Sequence, residues 1–207
     1  MLGLDAAKQM QAAFKSYPDA HIGSIATLEV FGKGSGLTSS KKTMSFVTNH
    51  DTDRNPGEYL GHKDGATFIL ANEWLLASGY GSPQVFSSFE WETAGRLTAC
   101  RDANGLITDA DCTSESGLCD HRDRGIVAMV KWHNYVGQCQ ACATSHTDDA
   151  NVIAFSKDGK GWAAFNNGTA CASRSRSRPD LPQGTYCDVI HGKDHGQLRM
   201  RQARPSW

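Results

Sequence analysis

Three carboxylates stand out as residues that could do chemistry. Asp5 opens a predicted helix, Glu29 lies near the end of an apolar segment, and Asp51 follows a predicted strand in the string FVTNHD. A carboxylate at the carboxyl end of a buried parallel strand must be desolvated, and α/β enzymes gather catalytic groups at that edge. Each residue alone also fits a helix cap or a solvated strand end. We therefore treat the three as candidate functional residues.

The spacing of apolar side chains predicts the elements that would position them. The three predicted strands are 22–31, 43–49 and 84–88. The three predicted helices are 6–14, 64–78 and 124–135. We expect Asp64 to be the N-cap of the second helix and Gly79 to end it. This alternation of strands and helices favours a parallel α/β layer.

The sequence changes in character after Asp149. Short strand-like segments separated by Gly, Asn and Pro predict strands at 152–155, 161–165 and 185–190. This pattern is typical of a small antiparallel β module. We therefore predict two domains, an α/β part over 1–148 and a β domain over 149–207.

The overall composition excludes some classes of partner. The 207 residues carry a formal charge of −1, so the chain lacks the basic footprint of a nucleic-acid or anionic-membrane binder. No apolar run approaches the roughly 18 residues that a membrane span needs. The first residues, MLGLDAAKQM, do not have the pattern of a signal peptide.

Cysteine usage points to an oxidising compartment. All seven cysteines lie after residue 99: Cys100, Cys112, Cys119, Cys139, Cys142, Cys171 and Cys187. We expect at least one disulfide within 100–142, joining Cys119 to Cys112 or to Cys100. The CxxC pair leaves open a small zinc-binding or disulfide-rich interaction module, although no second pair has zinc-site spacing.

Seven ordered motifs resemble those of the α-amylase family of animal and actinomycete type. They are GLDAAKQM, ATLEV, FVTNHD, LASGYGSPQVFSSFEW, CDHRDRGIVAMVKWHN, VIAFSKDGKGWAAFNNG and LPQGTYCDVIHG. The matches run in the family's order along nearly the whole chain. The resemblance implies a partial (β/α)8 TIM-type barrel followed by a small antiparallel β domain that is truncated, and it implies secretion.

The resemblance also assigns roles in a retaining glycoside hydrolase. Asp5 takes the position of the nucleophile, Glu29 that of the general acid/base, and Asp51 that of the third carboxylate. Lys8 and His50 match sugar-binding positions. The implied activity is endo-hydrolysis of α-1,4-glucosidic bonds in starch-type glucans with retention of configuration. Among the aromatic residues Trp74, Tyr80 and Trp91, which could stack on sugar rings, core packing is the better interpretation of Trp74.

Two inorganic ligands follow from the same resemblance. Gln9 takes a position whose backbone carbonyl binds calcium in the family. Asn49 and Arg124 lie at or near chloride-binding positions. Gly3, however, replaces an arginine that the chloride-binding members use.

The spacing of the motifs departs from a complete barrel. Glu29 and Asp51 are only 22 positions apart, which is too short for two helical crossovers and a strand. We therefore expect barrel strand six to be missing, strands one to three to lack a counterpart, and the usual partner of Cys187 to be absent. This leaves an alternative function, a non-catalytic fragment or pseudoenzyme that at most binds glucan.

Overall fold

The computed structural model describes most of the chain. The described residues are 1–15, 24–32, 36–89, 91, 102–109, 112, 118–137, 143–146, 150–168, 181–192 and 197–200. Within them, no helix is long and apolar enough to cross a membrane.

Three α-helices contribute most of the core of the N-terminal part. They are α1 (Leu4–Lys15), α2 (Ala66–Ser78) and α3 (Arg124–Val136). The apolar side of α1 is buried, with Met10 and Phe14 almost inaccessible. The three observed helices confirm the predicted ones. The prediction works for α1 because apolar side chains at helical spacing share one face.

The ends of helix α2 are set by two glycines. Gly65 precedes it as the N-cap, and Gly79 ends it in the left-handed conformation at φ 75°. The prediction for Gly79 is confirmed, whereas the N-cap prediction for Asp64 is wrong. The Asp64 carboxylate instead accepts the backbone N–H of Gly61 at 2.9 Å and pairs with Lys15 at 2.8 Å.

The predicted strand over 22–31 is wrong for the residues described there. Ile25–Val30 forms a 3₁₀ helix, η1. Its buried residues Ile25 and Leu28, followed by buried Phe31, recur at every third position. This spacing matches the three residues per turn of a 3₁₀ helix and not the two-residue period of a strand.

The parallel sheet is much smaller than predicted. Strand β1 (Met44–Ser45) pairs in parallel with β2 (Ser82–Pro83), and Leu2 forms a parallel bridge to Met44. The prediction of a strand over 84–88 is wrong, because the extended pairing ends at Pro83. A barrel is therefore not confirmed by the described residues, which show only this short parallel ribbon.

The antiparallel β module is confirmed. Strands β3 (Ala143–His146), β4 (Val152–Lys157) and β5 (Gly161–Asn166) form one antiparallel sheet in that order. Strands β6 (Gly184–Cys187) and β7 (Gln197–Met200) form a separate antiparallel pair. The boundary between residues 148 and 149 stays a prediction.

One disulfide of the cysteine-rich region is confirmed. Cys112 and Cys119 are bonded, and Cys187 is a free, exposed cysteine. The remaining cysteines, Cys100, Cys139, Cys142 and Cys171, lie outside the described residues.

The parallel ribbon depends on a glycine directly before β2. Gly81 has φ +70°, and a Cβ built there would lie 2.8 Å from the carbonyl oxygen of Thr43. The Gly81 N–H also donates to Ser40 Oγ at 2.9 Å. Gly105 has a similar φ of +77°, but nothing lies within 4 Å of its Cβ position.

We expect Gly81→Ala to destabilise the protein more than Gly105→Ala. Both changes incur about 1–2 kcal/mol for a left-handed alanine, but only the first also forces a contact with β1, adding about 1–3 kcal/mol. Urea unfolding followed by tryptophan fluorescence measures the difference. Equal free energies of unfolding for the two variants would contradict this account of the ribbon.

Candidate active site

The parallel pairing places Asp5 and Asp51 at one edge of the ribbon. Asp5 follows Leu2 by three residues, and Asp51 follows β1 in the next turn. Because the two segments run in the same direction, both carboxylates lie beyond the carboxyl ends of the paired strands. Both are exposed, and the Asp51 side chain retains 68% of its accessible surface.

Glu29 lies on a different kind of element. It is an exposed residue of η1, which packs against α1 and against β4 of the β module. The Ala26 N–H donates to the carbonyl oxygen of Ala150 at 3.0 Å, which ties this short helix to the turn before β4. Glu29 is therefore not at a strand end, contrary to the prediction.

Asn49 shapes the turn that presents Asp51. The Asn49 side-chain oxygen accepts the backbone N–H groups of Asp51 and Thr52, at 2.9 and 3.0 Å. Thr52 Oγ1 in turn accepts the backbone N–H of Asn49 at 2.9 Å. An asparagine side chain that accepts a hydrogen bond from the backbone two residues ahead forms an Asx turn, a common turn structure. His50 and Asp51 leave this turn side by side, with Nε2 and Oδ1 3.4 Å apart.

Lys8 is held in an ion pair on the surface of α1. Its ammonium lies 2.7 Å from Glu58 Oε2 and 5.5 Å from the centre of the Tyr59 ring. The hydrogen bond to Glu58 and the negative charge of Glu58 raise the pKa of Lys8 above its usual value. The predicted sugar-binding amine therefore has a carboxylate partner from the segment that follows Asp51.

The aromatic residues considered for sugar stacking are buried. Trp74, Tyr80 and Trp91 are 2%, 1% and 6% exposed. The Tyr80 hydroxyl donates to the carbonyl oxygen of Thr38 at 2.7 Å, and the Trp74 ring packs edge-on to Phe31. The core interpretation of Trp74 is confirmed, and the stacking role of Tyr80 and Trp91 is wrong because a sugar cannot reach their faces.

A buried polar cluster follows the Asp51 turn. We define it as Asp53, His62, Ser88, Trp91 and Asp120. Ser88 Oγ donates to Asp53 Oδ2 at 2.5 Å, and His62 Nδ1 lies 3.9 Å from Asp53 Oδ1. Asp53 and Ser88 are both buried, each at 6% exposure. The sequence analysis missed this cluster because its members are scattered over 68 positions and belong to different motifs or to none.

Charges within the cluster affect one another. Burial raises the pKa of Asp120; the Asp53 charge adds to this rise, and the nearby His62 and His121 oppose it. Among the described residues, oxygen atoms of Asp53 and Asp120 and the Trp91 ring nitrogen are buried and have no hydrogen-bond partner. Buried polar groups are usually hydrogen-bonded to protein or to internal water. The cluster is thus polar, in contrast to the apolar core.

The residues predicted to bind inorganic ions do not converge. Arg124 Nη2 donates to the carbonyl oxygen of Gly192 at 2.9 Å, while the Asn49 side-chain oxygen is engaged in the turn. Gln9 lies in the middle of α1. Its backbone carbonyl could supply one ligand, but calcium takes six to eight oxygen ligands. Across the described part of the chain, no group of three or more His, Cys, Asp or Glu residues could hold a metal ion. These residues alone therefore do not form a calcium site, and calcium and chloride binding stay predictions.

Comparison with known proteins defines the class of fold. Residues 143–203 match the model of the alpha amylase C-terminal all-beta domain. The structure is similar to alpha-amylase I from Eisenia fetida, with a TM-score of 0.77 and 24% identity over 91% of this chain and 40% of that one. A mutant of that protein in complex with maltohexaose gives a TM-score of 0.78 at 23% identity, covering 94% and 41% of the two chains. The chain thus has the fold of the C-terminal portion of an alpha-amylase.

Sequence relatives identify the family. An alpha-amylase from Thermomonospora curvata is 38% identical over 170 residues, which cover 82% of this chain and 27% of that protein. An alpha-amylase-related protein from Drosophila mauritiana is 34% identical over 169 residues, covering 80% and 34%. The chain belongs to the α-amylase family. It spans 27% to 34% of the length of these curated relatives.

We expect Ser88→Ala to destabilise the buried cluster. The change removes the hydroxyl that Asp53 Oδ2 accepts, and a hydrogen bond to a buried charged group contributes about 1.5–3 kcal/mol. Ser82→Ala, at an exposed position of β2, is the matched control and should change stability by less than about 0.5 kcal/mol. Urea unfolding of both variants tests this, and indistinguishable midpoints would show that the Ser88 hydroxyl does not support Asp53.

Proposed function

We propose that this chain is the C-terminal catalytic and β-domain portion of a retaining α-amylase-type glycoside hydrolase. Its substrate is an α-1,4-glucan of the starch or glycogen type, cleaved internally. Asp5 is the nucleophile, Glu29 the general acid/base and Asp51 the third carboxylate. The disulfide between Cys112 and Cys119 supports an extracellular location, because such bonds persist in oxidising compartments.

One structural observation carries the proposal. The parallel bridge between Leu2 and Met44 aligns the segment before Asp5 with the strand before Asp51. The two carboxylates consequently leave the sheet at the same edge, although 46 positions separate them in sequence. This is where α/β enzymes place groups that act on one substrate.

The chemistry assigned to each residue follows from retaining hydrolysis. The Asp5 carboxylate would attack the anomeric carbon while Glu29 protonates the departing glycosidic oxygen. Water, deprotonated by Glu29, would then release the sugar from Asp5. Asp51 would bind sugar hydroxyls and favour the positive charge that develops in the transition state. His50, exposed beside Asp51, would donate a hydrogen bond to the same ring.

A second candidate function is glucan binding without efficient hydrolysis. Retaining enzymes hold their two carboxyl groups about 5–5.5 Å apart in a site that excludes water. Here all three carboxylates are exposed, and Glu29 lies on η1, which is packed against α1 and the β module, and not at a strand end of the parallel ribbon. A displacement of about 1 Å can lower a rate on the order of 100-fold. We therefore expect hydrolysis by this chain alone to be weak.

The test is release of reducing sugar from soluble starch by the purified chain. We expect a low rate that falls at least about 100-fold in Glu29→Gln and in Asp5→Asn, because each change removes a group that takes part in bond cleavage. Asp109→Asn is the control, since it neutralises an exposed carboxylate far from the proposed site in sequence. The proportion of α-anomer in the first product, followed by NMR, reports retention.

Different outcomes separate the two functions. Hydrolysis that survives both substitutions would contradict the assignment of Glu29 and Asp5. An absence of hydrolysis combined with retardation of the chain in starch-containing native gels would favour the binding function. In that case Asp51→Ala should weaken the retardation, whereas Asp109→Ala should not.

A further inference from the structure

Helix α2 carries a buried acid at its contact with helix α3. Glu73 is 9% exposed and is surrounded on its own helix by buried residues from Ala71 to Ala77. A Cβ on Gly125 would lie 1.7 Å from Glu73 Oε1 and 2.8 Å from its carboxyl carbon. The carboxyl therefore fills the space that a side chain at position 125 would take, and a larger residue there would force the Glu73 carboxyl to move.

A second carboxyl meets the same glycine. Asp123 is the N-cap of α3, and its Oδ1 accepts the backbone N–H groups of Gly125 and Ile126 at 2.7 and 3.3 Å. The same oxygen lies 3.2 Å from the Cβ position of Gly125. The N-cap interaction uses this oxygen of Asp123 as its acceptor. Glu73 thus faces a neighbour that already occupies the anion-binding end of the helix.

The β module reaches this junction through the segment after β6. Arg124, next to Asp123, donates to the carbonyl oxygen of Gly192, and His191 lies near enough for its charge to act on Glu73. His191 is itself held by Asp188, whose carboxylate accepts the His191 backbone N–H at 2.9 Å. The charged and titratable groups that bear on Glu73 are therefore Asp123 from α3 and His191 from the β6 segment, with Arg124 at their side.

We propose that Glu73 is a proton-operated clamp that joins α2, the N-terminus of α3 and the β6 segment. As a neutral acid it packs against Gly125 beside the ionised N-cap Asp123. When it loses its proton, two carboxylates lie against the same glycine, Gly125, and the start of α3 together with the contact of Arg124 with Gly192 loosens.

Opposing electrostatic effects decide when this happens. Burial and the Asp123 charge raise the pKa of Glu73 from 4.5 to about 7, and His191 lowers it only in part. The positive end of α3 would favour an anion, but Asp123 already occupies it. Below pH 4.5 the folded and unfolded chains both hold the proton. Between 4.5 and about 7 only the folded chain keeps it, so stability falls as the pH rises, and the loss is complete above about 7.

The first test uses the unchanged chain. In a sample labelled with ¹³C at glutamate carboxyls, we expect one resonance to titrate between pH 6 and 8 and to be missing in Glu73→Gln. If no glutamate carboxyl titrates above pH 6, the proposal is overturned, whatever the stability of the variant.

The second test locates the loosening. Hydrogen exchange at residues 124–130, corrected for intrinsic rates, should become at least about 10-fold faster from pH 5.5 to 8.5 in the unchanged chain. In Glu73→Gln this acceleration should disappear. Asp120→Asn removes the other acid with a raised pKa and should leave the acceleration intact. Acceleration that persists in Glu73→Gln, or is abolished by Asp120→Asn, would assign the effect to another group and overturn the proposal.

Discussion

The packing of the Trp74 ring against Phe31 is the contact on which the arrangement of the described structure depends. The two ring centres are 4.9 Å apart in an edge-on geometry, and Phe31 also meets Tyr80 at 5.0 Å. Such pairs contribute about 0.5–1.5 kcal/mol beyond the burial of their surface. They join the middle of α2, the end of η1 and the residue before the β2 turn. The position of Glu29 and the position of the parallel ribbon are thus fixed by the same aromatic cluster.

The helices could be predicted from the sequence because their signals are local. Buried residues of α1 and α3 recur at helical spacing, and Gly79 ends α2 where a left-handed residue is required. The strands of the N-terminal part could not be predicted as well. A short apolar run fits a buried strand or a short helix equally, and only the three-residue spacing from Ile25 to Phe31 distinguishes them. That distinction depends on which residues of the run are buried, and this is decided by packing against aromatic residues of α2 that lie far away in the sequence.

In the candidate site, too, the features with local sequence signals could be predicted and the long-range contacts could not. Asp5 and Asp51 could be placed from motifs, because each follows a segment that enters the parallel ribbon. The partners that surround them could not. Glu58 pairs with Lys8 across 50 positions, and Ser88 meets Asp53 across 35. The sequence around a charged residue or a hydroxyl does not indicate which distant residue folding will bring into contact with it.

The β module determines the site as much as the helices do. Strand β4 is buried along its whole length, which a sheet with one face in water would not allow. Its residues Ile153 and Phe155 belong to the same core as Met10 and Trp74, and η1 packs directly on the strand. The Asn167 side chain also donates to the carbonyl oxygen of Phe14 at 2.8 Å. Because η1 carries Glu29 and is tied to residue 150, the orientation of the proposed acid/base depends on how the β module docks, and the two parts cannot be treated as independent units.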